Sequence, residues 1–249
     1  MSFVGHLEAL RWTIFKGLAG LVGGIVVAVV FRDWILREVL LGPLSPDFLM
    51  YRVLGLDAVE ITLLNRTVTG QFFADIGVMA ACGFVIGSPV VVHYLWKFIE
   101  PALYPHEKES LRFSSAFASF CFLVGVAFGY LILSPIALQF FQQYALSQQI
   151  VNEWDIIRYF NLMLFWTLGT GFLFELPVAV FLLTKMGLVT PAMLREYRKY
   201  ALTVVLVLAA FFTPPDPVSQ ILVAVPLFLL YEASIYVSTL TARRRKKEA

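Results

Sequence analysis

Charge is scarce in this chain. Only 14% of its 249 residues are charged, against about 25% in an ordinary soluble domain, which argues against a water-soluble fold with a charged shell. Cysteine is nearly absent. Cys82 and Cys121 each lie inside an apolar run, with no CxxC, so a disulfide framework and a thiolate metal site are both unsupported. The three histidines, His6, His93 and His106, form no HxxxH and meet no clustered carboxylates. GxSxG, HExxH and Walker-type loops are missing as well. No catalytic constellation, metal site or cofactor is implied, so the chain reads as a binding or transport protein and not an enzyme. No repeat recurs at a fixed period, which removes one support for an inverted-repeat transporter. An A-x-A cleavage site is also missing after the first apolar run, which therefore reads as a retained span.

What the chain has is apolar sequence, 59% of its residues. Six runs stand out, at 12–31, 71–96, 111–133, 157–183, 200–212 and 218–240. They predict an all-α polytopic membrane protein, one domain over 1–249. The third run is expected to end at Ser134-Pro135. The fifth, with 13 residues, is only about 20 Å long as a helix, against a hydrocarbon core of about 30 Å. TPPDP (213–217) follows at once and cannot be helix interior. The last two runs are therefore expected to be two short helices joined by a turn recessed in the membrane; a re-entrant hairpin is the alternative.

Six spans put both termini on one side. That side, with its span edges, holds 14 of the 19 Lys and Arg, so the positive-inside rule makes both termini cytoplasmic. Of the 17 acids, nine fall on the outer side, six on the cytoplasmic side and two within spans. The RRRKK tail (243–247) suits an anionic leaflet. The outer loop 32–70 alternates apolar and charged residues, which predicts short interfacial helices. GxxxG pairs at Gly20/Gly24, Gly83/Gly87 and Gly125/Gly129 predict close helix packing within the chain.

Several polar residues invite a role. Glu175 in FELPV falls near the bilayer midplane, where a charge costs several kcal/mol unless it meets a cavity, a partner or a proton. Pro177 should bend the helix there, and Gly169, Thr170 and Gly171 add a small polar patch. Glu232 is read as a locally bonded or snorkelling carboxylate. Asp216 is placed to cap the last helix, with Ser219 and Gln220 beside it. FIEPALYPHEKE (98–109) is acidic on the side that should be basic. Its Glu107, beside Phe98, Leu103 and Tyr104, offers a carboxylate on an apolar shelf, which suits an arginine followed by apolar residues. Glu8 shares that membrane surface. Glu100 and Glu109 read as solvated.

HLEALR, SPVVVHYLWKFIEPALYPHEKE (88–109), FELPV (174–178) and TPPDPVSQ (213–220) together resemble the TatC family. That family is the core signal-peptide receptor of the twin-arginine protein translocase. The resemblance implies a glove-shaped concave bundle in the cytoplasmic (inner) membrane. It implies binding of twin-arginine signal peptides on folded cargo, work with single-span TatA and TatB, use of the proton-motive force, and assembly as an oligomer in the bilayer. Nucleic acid has no part in it. It also implies receptor roles for Glu107, Phe98, Leu103 and Tyr104, and a motif role for Pro43 in the outer loop. Glu175 matches the family's intramembrane glutamate, and Thr213, Asp216 and Gln220 match a region of partner contact. One departure stands out. The family's N-terminal motif usually reads HLxELR, but here that acidic position is Ala9 and the acid is Glu8. One helical step rotates a side chain by about 100°, so Glu8 does not simply inherit the usual role. The competing readings are a proton-coupled secondary transporter for a small solute, with Glu175 as its ion site, and a structural scaffold.

Overall fold

The apolar runs become helices because a backbone in lipid must satisfy its own hydrogen bonds. In chain order the computed structural model contains α1 (Phe3–Val30), α2 (Arg32–Trp34), a π-helical turn (Ile35–Leu40), a 3-10 turn (Gly42–Leu44) and α3 (Leu49–Leu54). Next come β1 (Leu63–Leu64), α4 (Gly70–Ile99), α5 (Lys108–Phe128), a second π-helical stretch (Gly129–Leu133), α6 (Ser134–Gln143) and β2 (Trp154–Asp155). The chain finishes with α7 (Ile156–Leu173), α8 (Leu176–Lys185), α9 (Pro191–Glu196), α10 (Arg198–Phe212) and α11 (Pro217–Glu248). The structure describes residues 3–57, 61–99, 108–147, 149, 152–213 and 216–248, without the side chains of 3–7, 9, 99, 108–113, 218 and 244–248.

Five helical stretches among these residues are long and apolar enough to cross a membrane: Leu10–Val30, Gly70–Phe98, Ser114–Gln143, Ile156–Lys185 and Ser219–Arg243. The fifth apolar run is the 15-residue α10, about 22 Å long at 1.5 Å per residue.

Two expected boundaries are corrected. The third run does not stop at Ser134-Pro135. The π-helical stretch widens the helix just before them, so Pro135 falls in the first turn of α6, where a missing N–H is tolerated. The Ser134 hydroxyl also donates to the Gly129 carbonyl at 2.8 Å. Nor is the final pair two short helices. Only α10 is short; α11 runs for 32 residues, because no Gly or Pro stops it between Leu240 and the charged tail. Pro89 inside α4 is handled by a neighbour: Ser88 Oγ donates to the Val85 carbonyl at 2.7 Å, the acceptor that the proline leaves unpaired.

The glycine pairs do what their spacing predicts. A Cβ on Gly24 would stand against the Gly83 carbonyl and 2.8 Å from the Gly87 nitrogen, and one on Gly87 would be 2.7 Å from the Gly20 oxygen. Thus α1 and α4 touch backbone to backbone. Gly125 and Gly129 admit α7 in the same way, with a Cβ on Gly125 2.6 Å from the Thr170 backbone oxygen and one on Gly129 pressed against that of Trp166.

Burial is uneven along the bundle. The larger core joins the outer-loop residues Ile35, Leu40, Leu44 and Tyr51 to Leu133, Leu138, Tyr159 and Trp166. The smaller one, at the other end, centres on Trp96, Ala118, Cys121 and Val178. The 32–70 connection forms the short helical turns expected of it and folds over one end of the bundle as a cap. The carbonyls at the ends of these turns need donors, and three tyrosines supply them. Tyr51 donates to Pro43 at 2.7 Å, Tyr130 to Val39 at 2.9 Å and Tyr159 to Leu40 at 2.6 Å. Burial pushes the Tyr51 phenol pKa up, which keeps it a donor. The two connections at this end are also joined by the parallel β1–β2 pairing and by Arg66–Glu153 at 2.7 Å.

Candidate functional site

Glu8 lies on α1, exposed, about one turn before the apolar stretch. Its position relative to the 98–109 loop follows from the α1–α4 seam. Contacts step down α1 as they step up α4, from Gly24 with Gly83, through Gly20 with Gly87, to Lys16 Nζ 5.7 Å from the Tyr94 ring. Two further turns bring Glu8 to the level of the last turn of α4, which holds the half-buried Phe98. Leu103, Tyr104 and Glu107 lie outside the described residues. So do Glu100 and the side chain of Glu109.

Glu175 stands at a break. The chain leaves α7 at Phe174 and re-enters helix at Leu176, with Pro177 in the first turn of α8. The expected bend is thus a clean interruption. The carboxylate is half-buried, and its Oε1 is buried with no hydrogen-bond partner among the described residues. Thr170 does not reach towards it. Its hydroxyl points into the α5 seam, 2.8 Å from the Gly125 oxygen and 2.6 Å from that of Trp166. Glu232 is bonded, to Arg198 of α10 at 2.6 Å. Arg198 as the partner was not foreseen, although its placement beside the fifth run was the available signal.

The α10–α11 turn gathers the other polar residues. Thr213 is buried and its hydroxyl donates to the Ala209 carbonyl at 2.9 Å. Asp216 Oδ2 accepts the Ser219 N–H at 2.8 Å, the expected N-cap. Gln220 Nε2 donates to the Leu206 carbonyl at 3.1 Å, so it ties α11 to α10. Phe212 stacks on Phe165 of α7 with ring centres 4.7 Å apart. Pro43 is buried in the cap, and its carbonyl accepts the Tyr51 hydroxyl. The cap tyrosines 130 and 159 were missed. They sit in apolar runs, and their acceptors are backbone atoms 91 and 119 residues away.

These features define an all-α, multi-pass membrane protein, and among its described residues no group of three His, Cys, Asp or Glu could hold a metal ion. Comparison with known proteins makes this specific. Residues 5–226 match the family of the Sec-independent protein translocase protein (TatC). The TatC protein of Halalkalibacterium halodurans is 43% identical over 247 residues, 99% of this chain and 92% of the relative. That of Aquifex aeolicus is 31% identical over 248 residues, 99% and 98%. A crystal structure of the twin-arginine translocase receptor TatC superposes with a TM-score of 0.71 at 31% identity, covering 95% of this chain and 99% of that one. A second, in the detergent DDM, gives 0.74 over 94% and 99%. The chain belongs to the TatC family of protein translocase components.

Proposed function

We propose that this protein is the receptor and core subunit of a twin-arginine translocase. It binds twin-arginine signal peptides at its cytoplasmic end, assembles with TatA and TatB, and exports folded proteins using the proton-motive force. It lies in the cytoplasmic membrane with six spans, α10 being the short one, and with both termini in the cytoplasm. The observation that carries this reading is the near full-length likeness to a solved twin-arginine translocase receptor. The α1–α4 seam supports it, because Glu8 and Phe98 share one end of the bundle.

The chemistry suits the ligand. A carboxylate takes an arginine side chain in a two-pronged hydrogen bond, and an apolar shelf takes the hydrophobic stretch that follows. Glu107 is the chief ligand, with Phe98, Leu103 and Tyr104 as the shelf and Glu8 as an outer acid. Glu175, Thr213, Asp216 and Gln220 belong to partner contact or a later step, and Pro43 to the cap.

The test is photo-cross-linking from positions 98–109 to a twin-arginine precursor, with a twin-lysine precursor as control. A strong arginine-dependent adduct is expected. Glu107→Gln should weaken it by roughly 10-fold or more, because a hydrogen bond to a charged group contributes about 1.5–3 kcal/mol. Unchanged cross-linking in Glu107→Gln and Glu107→Ala would remove the assignment.

A further inference from the structure

The outer cap, the Glu175 break and the α10–α11 turn fall within the reading above. The corner formed by α8, α9 and α11 does not. Here α8 ends in Lys185, the chain turns at Gly187 with φ +79°, and the six-residue α9 leads into α10. The corner is firmly braced against α11. Thr184 Oγ1 and Ser238 Oγ are 2.8 Å apart, Tyr231 donates to the Leu194 carbonyl at 2.6 Å, and Arg195 Nη2 lies 3.4 Å from Thr239 Oγ1. Arg243 is four residues beyond Thr239, on the same face of α11, so it follows Arg195 along one line.

Charge and apolar surface coincide at this corner. Segments 184–199 and 241–249 carry nine Lys and Arg against two acids, Glu196 and Glu248. Arg195, Lys199 and Arg243 are exposed. Beside them Leu188 is 61% exposed and Tyr200 57%. This surface continues into the exposed apolar residues of α10 and α11, such as Val204, Val207 and Leu240. The candidate span Ser219–Arg243 ends at the same level. Tyr and Lys/Arg at a span end are headgroup-level residues, and a basic cluster there attracts anionic lipid.

We propose that the α8–α9–α11 corner is a binding site for an anionic phospholipid. The phosphodiester sits between Arg195 and Arg243, and the acyl chains lie along α10 and α11. An acidic peptide would match the charge but would leave Leu188 and the apolar wall without a partner. The proposal does not depend on the receptor reading; it requires only that α11 ends at a membrane surface.

The test uses the full chain, purified in detergent and titrated with phosphatidylglycerol or phosphatidylcholine of the same acyl length, with bound lipid counted by native mass spectrometry. Phosphatidylglycerol should half-saturate the protein at a concentration at least tenfold lower. Each basic residue at an anionic surface is worth about fivefold in affinity. Arg243→Gln should therefore weaken binding about fivefold, and R195Q/R243Q about 25-fold. Arg37→Gln with Arg52→Gln, in the outer loop, should change nothing. The unsubstituted protein gives an independent reading, since its preference should fall as salt rises. Equal binding of the two lipids, a double variant with unchanged binding, or equal competition by inorganic phosphate or an acidic peptide would each overturn the proposal.

Discussion

Gly24→Ala is the sharpest probe of how the bundle holds the end that carries Glu8. The added methyl would press on the Gly83 carbonyl and lie 2.8 Å from the Gly87 nitrogen. Both obstacles are backbone, so no rotamer relieves them. Ordinary heavy-atom contacts lie near 3.5 Å, so α1 and α4 must separate locally by about 1 Å. Ala28, one turn away, is fully buried and acts as the pivot. Gly24 is then about 6 Å from the pivot and Glu8 about 30 Å, at 1.5 Å per residue. A 1 Å opening at Gly24 thus becomes about 5 Å at Glu8 and about 4 Å at Trp12, by the same rise per residue. Overpacking of this kind costs about 1–3 kcal/mol. Spin labels at Trp12→Cys and Leu95→Cys, with Cys82 and Cys121 replaced, should report the widening by pulsed electron resonance. Twin-arginine peptide affinity should fall at the same time if Glu8 contributes to the site. A label distance unchanged within 1 Å, together with unaltered thermal stability, would refute the lever.

Glu175→Ala should leave twin-arginine peptide cross-linking intact while export of a folded reporter falls; loss of cross-linking would place Glu175 in recognition instead. Tyr159→Phe removes the donor to Leu40 and leaves a buried carbonyl unpaired, so it should destabilise the protein by about 1–3 kcal/mol, read from denaturant titration in mixed micelles. Asp216→Ala removes the N-cap of α11 and should cost about 0.5–2 kcal/mol. Asp216→Asn should recover most of it, as measured by the same titration.

The apolar runs made the helical segments legible, because a membrane span needs length and apolarity and little else. Pro177, two residues after Glu175, foretold a bend there, which the structure makes an interruption between α7 and α8. The continuation past Pro135 was hidden, since it depends on a π-helical widening that leaves no mark on periodicity. The length of α11 was hidden for a different reason. Charge ends a span but does not end a helix. The α10–α11 residues were readable because a cap and a Pro-rich turn are local devices. The register that brings Glu8 level with Phe98 was not, because it is set by glycine contacts between two helices about 60 residues apart in sequence. Leu103, Tyr104 and Glu107 lie outside the described residues, so their roles rest on resemblance and charge.

The tyrosine-sealed cap bears on how the protein is made. Pro43 receives its donor from Tyr51, eight residues on, and can be satisfied as soon as the first outer loop emerges. Val39 and Leu40 must wait for Tyr130 and Tyr159, which enter the membrane only with the third and fourth long helices. Until then those carbonyls rely on water at the membrane surface. Closing the cap is therefore a late event in biosynthesis, and it couples the first loop to be synthesised to the insertion of the chain's second half.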